Sequence, residues 1–481
     1  MWVIGTVEFL LYLTLATSLA VPISSPLGRK ENKAPLAIGV VGVGAFVALS
    51  ALLLYGTAVY GPLPFYGGLV VQDSFTSLML LGMGLATALY LISIGAEGLE
   101  WTTSPSLYSL IPMTLFGAFF LAAANNLLVI LASWLLVSII SYIVVGASNA
   151  KEAKAAAVRY VFVGVVATLM LVAALAMASI ASGAYSLNLT ALASAPAALR
   201  GLVALFVVLF LAALGFKVGL FPFHWWLPSV YGRGDGKTVS FVASVVKLSF
   251  LSILTRTFVV MSADSALSRY VALTLAILAV ATMTYGNLAG LTTRDLQVIL
   301  AYSSMAQVGY IFAAMAAAAY YAGSVASSAS HYMLRLALYS VALQSLAYAL
   351  AKSPLFAFVG DAGRDLSSLR GLMSTSPPAA VSASVLLYSL LGIPPLMGFW
   401  GKLYMFFAAA GYNVWLALLA LINSGISSVY YIIASRDLLT RGEGPRPHAR
   451  YVASLVVASI LVLVLGIVAP LLFKAVVAIY A

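Results

Sequence analysis

The chain has 481 residues, of which 63% are hydrophobic and 8% are charged, and its formal net charge at pH 7 is +11. A soluble domain has about 45–50% apolar and about 25% charged residues, so this composition excludes a soluble enzyme, a disordered chain and a collagen. The absence of cysteine excludes disulfides, cysteine-held iron–sulfur clusters and cysteine nucleophiles. The long unbroken apolar blocks predict an all-α, polytopic membrane protein.

About fourteen apolar blocks are long enough to span a membrane as helices, which takes about 20 residues each. They fall at 3–23, 35–60, 69–95, 106–124, 126–146, 157–183, 201–221, 239–262, 270–290, 297–319, 327–350, 378–410, 414–434 and 452–478. We expect four parts in chain order. These are an N-terminal three-helix segment (1–105), a first repeat of helices 4–8 (106–262), a second repeat of helices 9–13 (263–435) and a C-terminal helix 14 (436–481).

Two of the predicted helices are interrupted by proline and glycine at comparable places. The first reads GFKVGLFPFHWWLP at 215–228, and the second reads GIPPLMGFWGKLYMFF at 392–407. In lipid, the backbone groups freed by such a break need partners, so breaks persist only inside a bundle or beside a polar cavity. Because paired breaks are typical of transporters built from inverted repeats, we predict two inverted five-helix repeats with helices 7 and 12 broken.

The basic residues divide unevenly between the two membrane faces if the loops alternate. Three of them (Arg200, Arg269 and Lys474) fall on one face, and Arg159 lies at a helix end near the other. That other face collects fifteen: Arg29, Lys30, Lys33, Lys151, Lys154, Arg233, Lys237, Arg294, Lys352, Arg364, Arg370, Arg436, Arg441, Arg446 and Arg450. By the positive-inside rule the crowded face is cytoplasmic. We therefore expect a multi-pass protein of the plasma (inner) membrane with both termini outside.

Five basic residues remain, and all lie within apolar segments: Lys217, Lys247, Arg256, Arg335 and Lys402. An ionisable side chain at mid-membrane costs about 2.5–3.5 kcal/mol on insertion scales, so such residues are candidates for function. Burial favours the neutral form of an amine, which allows a lysine to exchange a proton. We predict that Lys217, Lys247 and Lys402 exchange protons along an internal polar path. The alternative is that they are packing residues or reach back to the interface.

Several other polar residues are candidates for the same path. His331 and Arg335 lie one helical turn apart and share a face; histidine can relay protons, whereas arginine supplies a fixed charge. Ser303 and Gln307 also share a face, although such residues often only hold membrane helices together. His224 follows Lys217 by seven residues, which is roughly the same face if the helix break is mild.

Other charged residues and motifs indicate structure rather than chemistry. Asp73 is predicted to cap the third helix, and Arg256, near the end of its helix, is predicted to anchor it at the interface. The sequence contains no Gly-rich phosphate loop followed by Lys-Ser/Thr, no HExxH and no GxSxG. With only three histidines, we expect no metal site.

Five motifs, in order, resemble one family. They are GFKVGLFPFHWWLPSVY (215–231), SVVKLSF (244–250), RDLQVILAYSSMAQVGY (294–310), GIPPLMGFWGK (392–402) and LINSGISSVYY (421–431). They are similar to the antiporter-like subunits L, M and N of respiratory complex I, which are related to Mrp-type antiporter and membrane-bound hydrogenase subunits. The resemblance covers about 70–435. The last two motifs look most like subunit N, whereas SHYMLRLALYS (330–340) looks more like subunits L and M or the related Mrp antiporter subunit.

The resemblance implies a proton-translocating subunit of a complex I-like NADH (or other donor):quinone oxidoreductase. Lys217, Lys247 and Lys402 match the lysines of the seventh, eighth and twelfth helices, and His331 matches the polar connection between the two halves. The family has a fourteen-helix core with external termini. No cofactor is expected in this chain, and quinone, flavin and iron–sulfur clusters are expected in partner subunits. The implied partners are sister antiporter-like subunits, small helical subunits and lipid, and no nucleic acid.

The fifth helix departs from the family pattern. The family usually has a glutamate there that pairs with the lysine of the seventh helix, but here Leu135 stands at that place, or Trp134 if the alignment is shifted by one residue. Either the path uses other groups, such as Ser138 or Tyr142, or the chain is a pumping-impaired scaffold. Two further candidate functions are those of an Mrp-type cation/proton antiporter subunit and a membrane-bound hydrogenase subunit.

Overall fold

Long apolar helices make up most of the chain, as its composition requires. The computed structural model describes residues 2–23, 34–95, 106–148, 151–182, 187–324 and 327–478. In these ranges twelve helices are long and apolar enough to cross a membrane, and two shorter apolar helices, Leu107–Ala122 and Pro377–Leu391, accompany them. The predicted all-α polytopic fold is confirmed. Each of the fourteen predicted spans overlaps a helix of the structure, and the span predicted at 378–410 consists of two helices, Pro377–Leu391 and Met397–Tyr412.

The helices follow one another with short connections. In chain order they are α1 (Trp2–Ile23), α2 (Ala34–Tyr60), α3 (Ser74–Ile94), α4 (Ser106–Ala122), α5 (Leu127–Val145), α6 (Lys151–Ala181), α7 (Arg200–Val218), α8 (Leu227–Tyr231), α9 (Gly236–Phe241), α10 (Lys247–Met261), α11 (Ser265–Gly290), α12 (Leu296–Ala322), α13 (Ser328–Ala362), α14 (Leu372–Thr375), α15 (Pro377–Leu391), α16 (Met397–Tyr412), α17 (Val414–Leu438) and α18 (Ala449–Ala478). Residue 1, residues 479–481 and the basic residues Arg29, Lys30 and Lys33 lie outside the described residues, as does the predicted domain boundary at 105.

A small antiparallel hairpin precedes α3, where the sequence predicted a helix from residue 69. Strands β1 (Leu63–Phe65) and β2 (Val70–Gln72) pair with Phe65 opposite Val70. The turn between them uses positive φ at Gly67 (66°) and Gly68 (86°), which glycine adopts without steric cost. The helix then begins after Asp73. Its Oδ1 accepts a 2.8 Å hydrogen bond from the Thr76 backbone N–H, so the predicted cap is confirmed.

Both predicted helix breaks are present, and each has a lysine beside it. α7 ends at Val218, and the chain turns at Gly219, whose φ is 76°, before α8 begins. α15 ends at Leu391, Gly392 has a φ of 96°, and α16 begins at Met397. Lys217 lies in the last turn of α7, and Lys402 lies in the second turn of α16. The backbone therefore turns sharply where only glycine avoids strain.

The long helix α13 joins the two halves of the chain. It packs against α3 and α9 from the N-terminal half of the chain and against α12, α16 and α18 from the C-terminal half. All residues from 341 to 359 are buried, so other helices surround this part of α13. The predicted repeats correspond to α4–α10 and α11–α17, each with one break, and their boundaries stay a prediction.

The sequence predicted that the eleventh helix ends at 350, which would place Lys352 in a loop on the basic face. This prediction is wrong, because α13 continues to Ala362 and the side chain of Lys352 is fully buried. α13 passes through Pro354 without ending. A proline is tolerated within a membrane helix when surrounding helices and polar side chains can satisfy the freed backbone groups.

Candidate functional site

Lys217 lies at the first helix break and is 4% exposed. The last turn of a helix leaves carbonyl groups unpaired and carries the negative end of the helix dipole, which stabilises a cation by about 0.3–1 kcal/mol. The Nζ of Lys217 donates a 2.7 Å hydrogen bond to the hydroxyl of Tyr142. Among the described residues it forms no ion pair with a carboxylate. The structure therefore brings Tyr142, one of the two substitute groups considered from sequence, directly to this amine.

Four aromatic rings surround the amine of Lys217, and we call them the aromatic cage. The distances from Nζ to the ring centroids are 4.6 Å for Tyr142, 5.1 Å for Phe250, 5.4 Å for Trp134 and 5.7 Å for Tyr160. A cation over a ring face gains about 2 kcal/mol or more when water is excluded. The ring faces thus provide negative potential where the family resemblance led us to expect a carboxylate, but a ring face cannot accept the proton.

Position 135, where that carboxylate was placed by alignment, does not face Lys217. The side chain of Leu135 is 37% exposed, whereas Trp134 is fully buried in the aromatic cage. Ser138 is also buried, and it lies one turn from both Trp134 and Tyr142 on the same face of α5. Because Trp134 and Tyr142 both contact the amine, we expect a longer side chain at Ser138, between them, to point toward Lys217.

Lys247 follows a π-helical turn at 242–246 between α9 and α10. Such turns are rare and frequently occur at functional sites, because the extra residue reorients the side chains that follow. Lys247 is 1% exposed, and its Nζ has no hydrogen-bond partner among the described residues. Its Nζ lies 5.1 Å from the ring centroid of Tyr231 and 5.6 Å from that of Tyr348.

Aromatic rings connect Lys217 with Lys247. Tyr160, a member of the aromatic cage, has its ring centroid 5.3 Å from that of Trp226. Trp226 in turn lies 5.6 Å from Tyr231, the ring beside Lys247. The first helix break positions this connection, because Trp226 is its last residue before α8.

A fourth buried lysine, Lys352, lies between the two halves of the chain, and the sequence analysis did not identify it as a site residue. Its Nζ donates a 2.8 Å hydrogen bond to the carbonyl oxygen of Leu300 and another to the hydroxyl of Ser303, both on α12. Tyr348, the ring beside Lys247, lies one turn before Lys352 on the same face of α13. The face of α13 that lies beside Lys247 therefore also contacts α12, through Lys352.

A sequence signal for Lys352 did exist. It is the single charged residue between Arg335 and Asp361, in a run that is otherwise uncharged. Because Lys352 lies just beyond the predicted helix end at 350, the sequence analysis assigned it to a loop. The predicted length of this helix therefore decided that Lys352 was read as a loop residue and not as a buried amine.

Two glutamines continue the polar contacts between α12 and α13. Gln307 lies one turn after Ser303, and Gln344 lies two turns before Lys352. The Nε2 of Gln344 donates a 2.6 Å hydrogen bond to the Oε1 of Gln307, and the Nε2 of Gln307 donates a 3.0 Å hydrogen bond to the carbonyl oxygen of Leu390. These contacts end at the second helix break, because Leu390 lies at the end of α15.

Lys402 lies at this second break and is 3% exposed. Its Nζ donates hydrogen bonds to the carbonyl oxygen of Leu391 at 2.8 Å and to the hydroxyl of Ser424 at 2.9 Å. It also lies 4.7 Å from the ring centroid of Tyr310. Leu391 is the last residue of α15, where the carbonyl has no partner within the helix. Both breaks therefore place a lysine at the C-terminal end of a half-helix, the arrangement that holds cations in transporters with broken helices.

Three predicted site residues lie elsewhere. His331 is exposed near the start of α13, 21 residues or about 31 Å along the helix from Lys352. Arg335 lies one turn further in and lines a separate cavity. His224 lies in the first break with its ring centroid 4.2 Å from that of Tyr285. The structure does not bring His331 close to the buried lysines. Lys352 occupies the position between the two halves that the resemblance implied for His331.

Four buried amines thus follow one another through the bundle, and we call them the lysine line: Lys217, Lys247, Lys352 and Lys402. Ring faces, hydroxyl groups and side-chain amides lie between them. In the part of the chain that the structure describes, no three His, Cys, Asp or Glu side chains are grouped to hold a metal ion. An amine can alternate between its charged and neutral forms, so the chemistry that the lysine line can perform is proton exchange.

Comparison with known proteins agrees with the resemblance seen in the motifs. The family model described as "NADH:quinone oxidoreductase/Mrp antiporter, TM" matches residues 124–427. The chain is 32% identical over 467 residues to "NADH-quinone oxidoreductase subunit N 2" of Solidesulfovibrio magneticus, with 93% of each chain covered.

Solved structures show the same fold. The chain matches a subunit of respiratory complex I from Thermus thermophilus with a TM-score of 0.79 and 27% identity, covering 97% of this chain and 99% of that one. It matches a chain of the Mrp complex from Dietzia sp. DQ12-45-1b with a TM-score of 0.84 and 19% identity, covering 98% and 96%, which shows likeness of fold alone. The chain therefore belongs to the family of antiporter-like membrane subunits shared by NADH:quinone oxidoreductases and Mrp antiporters.

Proposed function

We propose that this chain is a proton-translocating membrane subunit, of the subunit N type, in a complex I-like NADH:quinone oxidoreductase. The observation that carries the proposal is the lysine line, which passes through both broken helices and both halves of the chain. The similarity to subunit N of Solidesulfovibrio magneticus over almost the whole chain supports this kind of assembly.

Protons move in this proposal by successive charging and discharging of the four amines. Two like charges inside a medium of low dielectric constant repel strongly, so a proton gained by one lysine favours release from the next. Lys352 can pass a proton toward the second half through the hydroxyl of Ser303, since the two are hydrogen-bonded. Gln307 and Gln344 orient the hydrogen bonds between this point and the second break.

The redox chemistry belongs to partner subunits under this proposal. Quinone, flavin and iron–sulfur clusters are assigned to them, and this chain has no cysteine to hold a cluster. The proposed partners are sister antiporter-like subunits and small helical subunits of the same membrane complex. The redox chemistry of the partner subunits then drives proton movement in this chain through a change of charge or packing at the ends of the lysine line.

The orientation in the membrane is also part of the proposal. The twelve long apolar helices establish a multi-pass membrane protein. The face that carries Lys151, Arg233 and Arg364 holds most of the basic residues, and the positive-inside rule assigns it to the cytoplasm. With an even number of spans, both termini then lie outside.

A second candidate is a subunit of a cation/proton antiporter or of a membrane-bound hydrogenase. The fold likeness to the Mrp complex, with a TM-score of 0.84, supports it. The soluble subunits that copurify with the chain separate these functions: NADH- or F420-linked subunits, nickel–iron subunits, or none. A third candidate, a scaffold without pumping, is supported by the lack of a carboxylate paired with Lys217 in the described part of the chain.

Replacing Lys247 by Met in the assembled complex tests the proposal. We expect the number of protons translocated per electron, measured in proteoliposomes, to fall, because the amine between Lys217 and Lys352 is lost. Lys154→Met, on the exposed side of α6, is the matched control and should leave the ratio unchanged. An unchanged ratio in an assembled Lys247→Met complex would contradict the proposal and favour the scaffold.

A further inference from the structure

A cavity of about 300 Å³, separate from the lysine line, lies where α3 begins, α10 ends and α13 begins. Its charged lining residues are Arg256, Arg335 and Asp73. Its other walls are mostly apolar and include Phe75 and Leu338. The cavity therefore combines a small charged group at one membrane face with a hydrophobic lining.

The guanidinium of Arg256 is held by one ion pair, and not all of its N–H donors have a hydrogen-bond partner among the described residues. Its Nη1 donates a 2.9 Å hydrogen bond to the Oδ2 of Asp73, and its side chain is 10% exposed. Its Nε is buried and has no hydrogen-bond partner among the described residues. A guanidinium carries five N–H donors in a planar fork, so contact with one carboxylate oxygen leaves donors for a second oxyanion.

The charge and depth of the group suit an anion at the membrane interface. Two guanidinium groups and one carboxylate line the cavity, so N–H donors outnumber carboxylate acceptors among its described lining residues. Arg256 lies five residues before the end of α10, or about 8 Å, and Arg335 lies seven residues after the start of α13, or about 10 Å. The hydrocarbon core of a bilayer is about 30 Å thick, so groups this close to the helix ends lie near its polar boundary.

We propose that this cavity binds an anionic phospholipid of the surrounding bilayer, with the phosphate between Arg256 and Arg335 and an acyl chain along the apolar walls. Arginine binds phosphate through paired N–H donors, and the apolar walls favour a ligand with a hydrocarbon tail over a free anion. The bound lipid ties α10, which carries Lys247, to α13, which carries Lys352. The lipid site itself does not depend on the proposed proton translocation.

Asp73 gives the proposal a directional test. Its Oδ2 competes with the phosphate for Arg256, while its Oδ1 caps α3. Asparagine caps a helix about as well as aspartate, so Asp73→Asn removes the competing charge and preserves the cap. We expect lipid retention to strengthen in Asp73→Asn and to weaken about tenfold in Arg256→Gln and Arg335→Gln, since each loses a charge-assisted contact.

The experiment uses the intact complex, delipidated in an uncharged detergent and titrated with phosphatidylglycerol, with retained lipid counted by native mass spectrometry. Phosphatidylcholine, which has no net charge, should be retained more weakly. Arg269→Gln, an exposed arginine at the start of α11 on the same face, is the matched control and should leave retention unchanged.

Three results would overturn the proposal. The first is unchanged retention in Arg335→Gln, which leaves the Arg256–Asp73 pair intact and so keeps the test valid if Arg256→Gln does not fold. The second is weaker retention in Asp73→Asn, which would indicate a purely structural ion pair. The third is displacement of the lipid by inorganic phosphate at equal concentration, which would indicate a site for a free anion.

Discussion

The amine of Lys352 donates a hydrogen bond to the hydroxyl of Ser303, and this contact joins α13 to α12 inside the bundle. One turn before Lys352, Tyr348 lies beside Lys247. One turn after Ser303, Gln307 reaches the carbonyl oxygen of Leu390 at the second break. The Lys352–Ser303 pair is therefore the point at which the two halves of the lysine line meet.

Replacing Lys352 by Met should reduce coupled proton translocation strongly while the complex still assembles. Methionine occupies a similar apolar volume, but it removes the exchangeable proton between Lys247 and Lys402. The measurement is proton uptake per electron in proteoliposomes, with assembly checked on native gels. Lys154→Met, whose lysine is exposed, serves as the control. Full coupling in Lys352→Met would show that protons pass between the halves by another route.

The translocation rate should depend on the hydroxyl of Tyr142, which accepts a hydrogen bond from Lys217, more than on the hydroxyl of Tyr160 in the same aromatic cage. Tyr142→Phe keeps the ring and removes the acceptor, and loss of a hydrogen bond to a charged group costs about 1.5–3 kcal/mol. Tyr160→Phe also keeps its ring, but it removes a hydroxyl that accepts from Ser141 at 3.2 Å. We expect the translocation rate to fall clearly in Tyr142→Phe and little in Tyr160→Phe. Equal effects would mean that the Tyr142 hydroxyl has no special role.

Ser138→Glu should restore an opposite charge beside Lys217, because Ser138 is buried on the face of α5 that carries Trp134 and Tyr142. A neighbouring carboxylate holds a lysine in its charged form. We expect the translocation rate to change in Ser138→Glu relative to the uncharged control Ser138→Gln, and the difference to depend on pH. Identical pH profiles of the two variants would show that position 138 does not reach the amine.

Gly401→Ala should destabilise the contact between α16 and α13. A Cβ at Gly401 would lie 2.9 Å from the Cα and 3.0 Å from the backbone nitrogen of Gln344. Such overpacking costs about 1–3 kcal/mol, and the neighbouring residue is Lys402. A Cβ at Gly425 on α17 would meet nothing within 4 Å, so Gly425→Ala is the control. We expect a lower thermal midpoint of the purified complex in Gly401→Ala alone, and equal midpoints would refute the close approach.

The fourteen spans and both helix breaks were predictable from the sequence. A membrane helix needs a continuous apolar segment of sufficient length, and this is a local property of the chain. The breaks at Gly219 and Gly392 are equally local, because glycine and proline act on the backbone beside them. Lys217, Lys247 and Lys402 stood out for the same reason, since a charge within an apolar run is visible without knowing what surrounds it.

The surroundings of each amine were decided only by the tertiary structure. The sequence places Leu135 and Ser138 on one helix, but packing exposes the first and buries the second. His331 and Lys352 belong to one long helix, and the neighbouring helices bury Lys352 and leave His331 near the surface. Apolar length determines that a segment crosses the membrane. Which of its faces meets another helix depends on contacts between residues far apart in the chain, and those contacts set the partner of each buried charge.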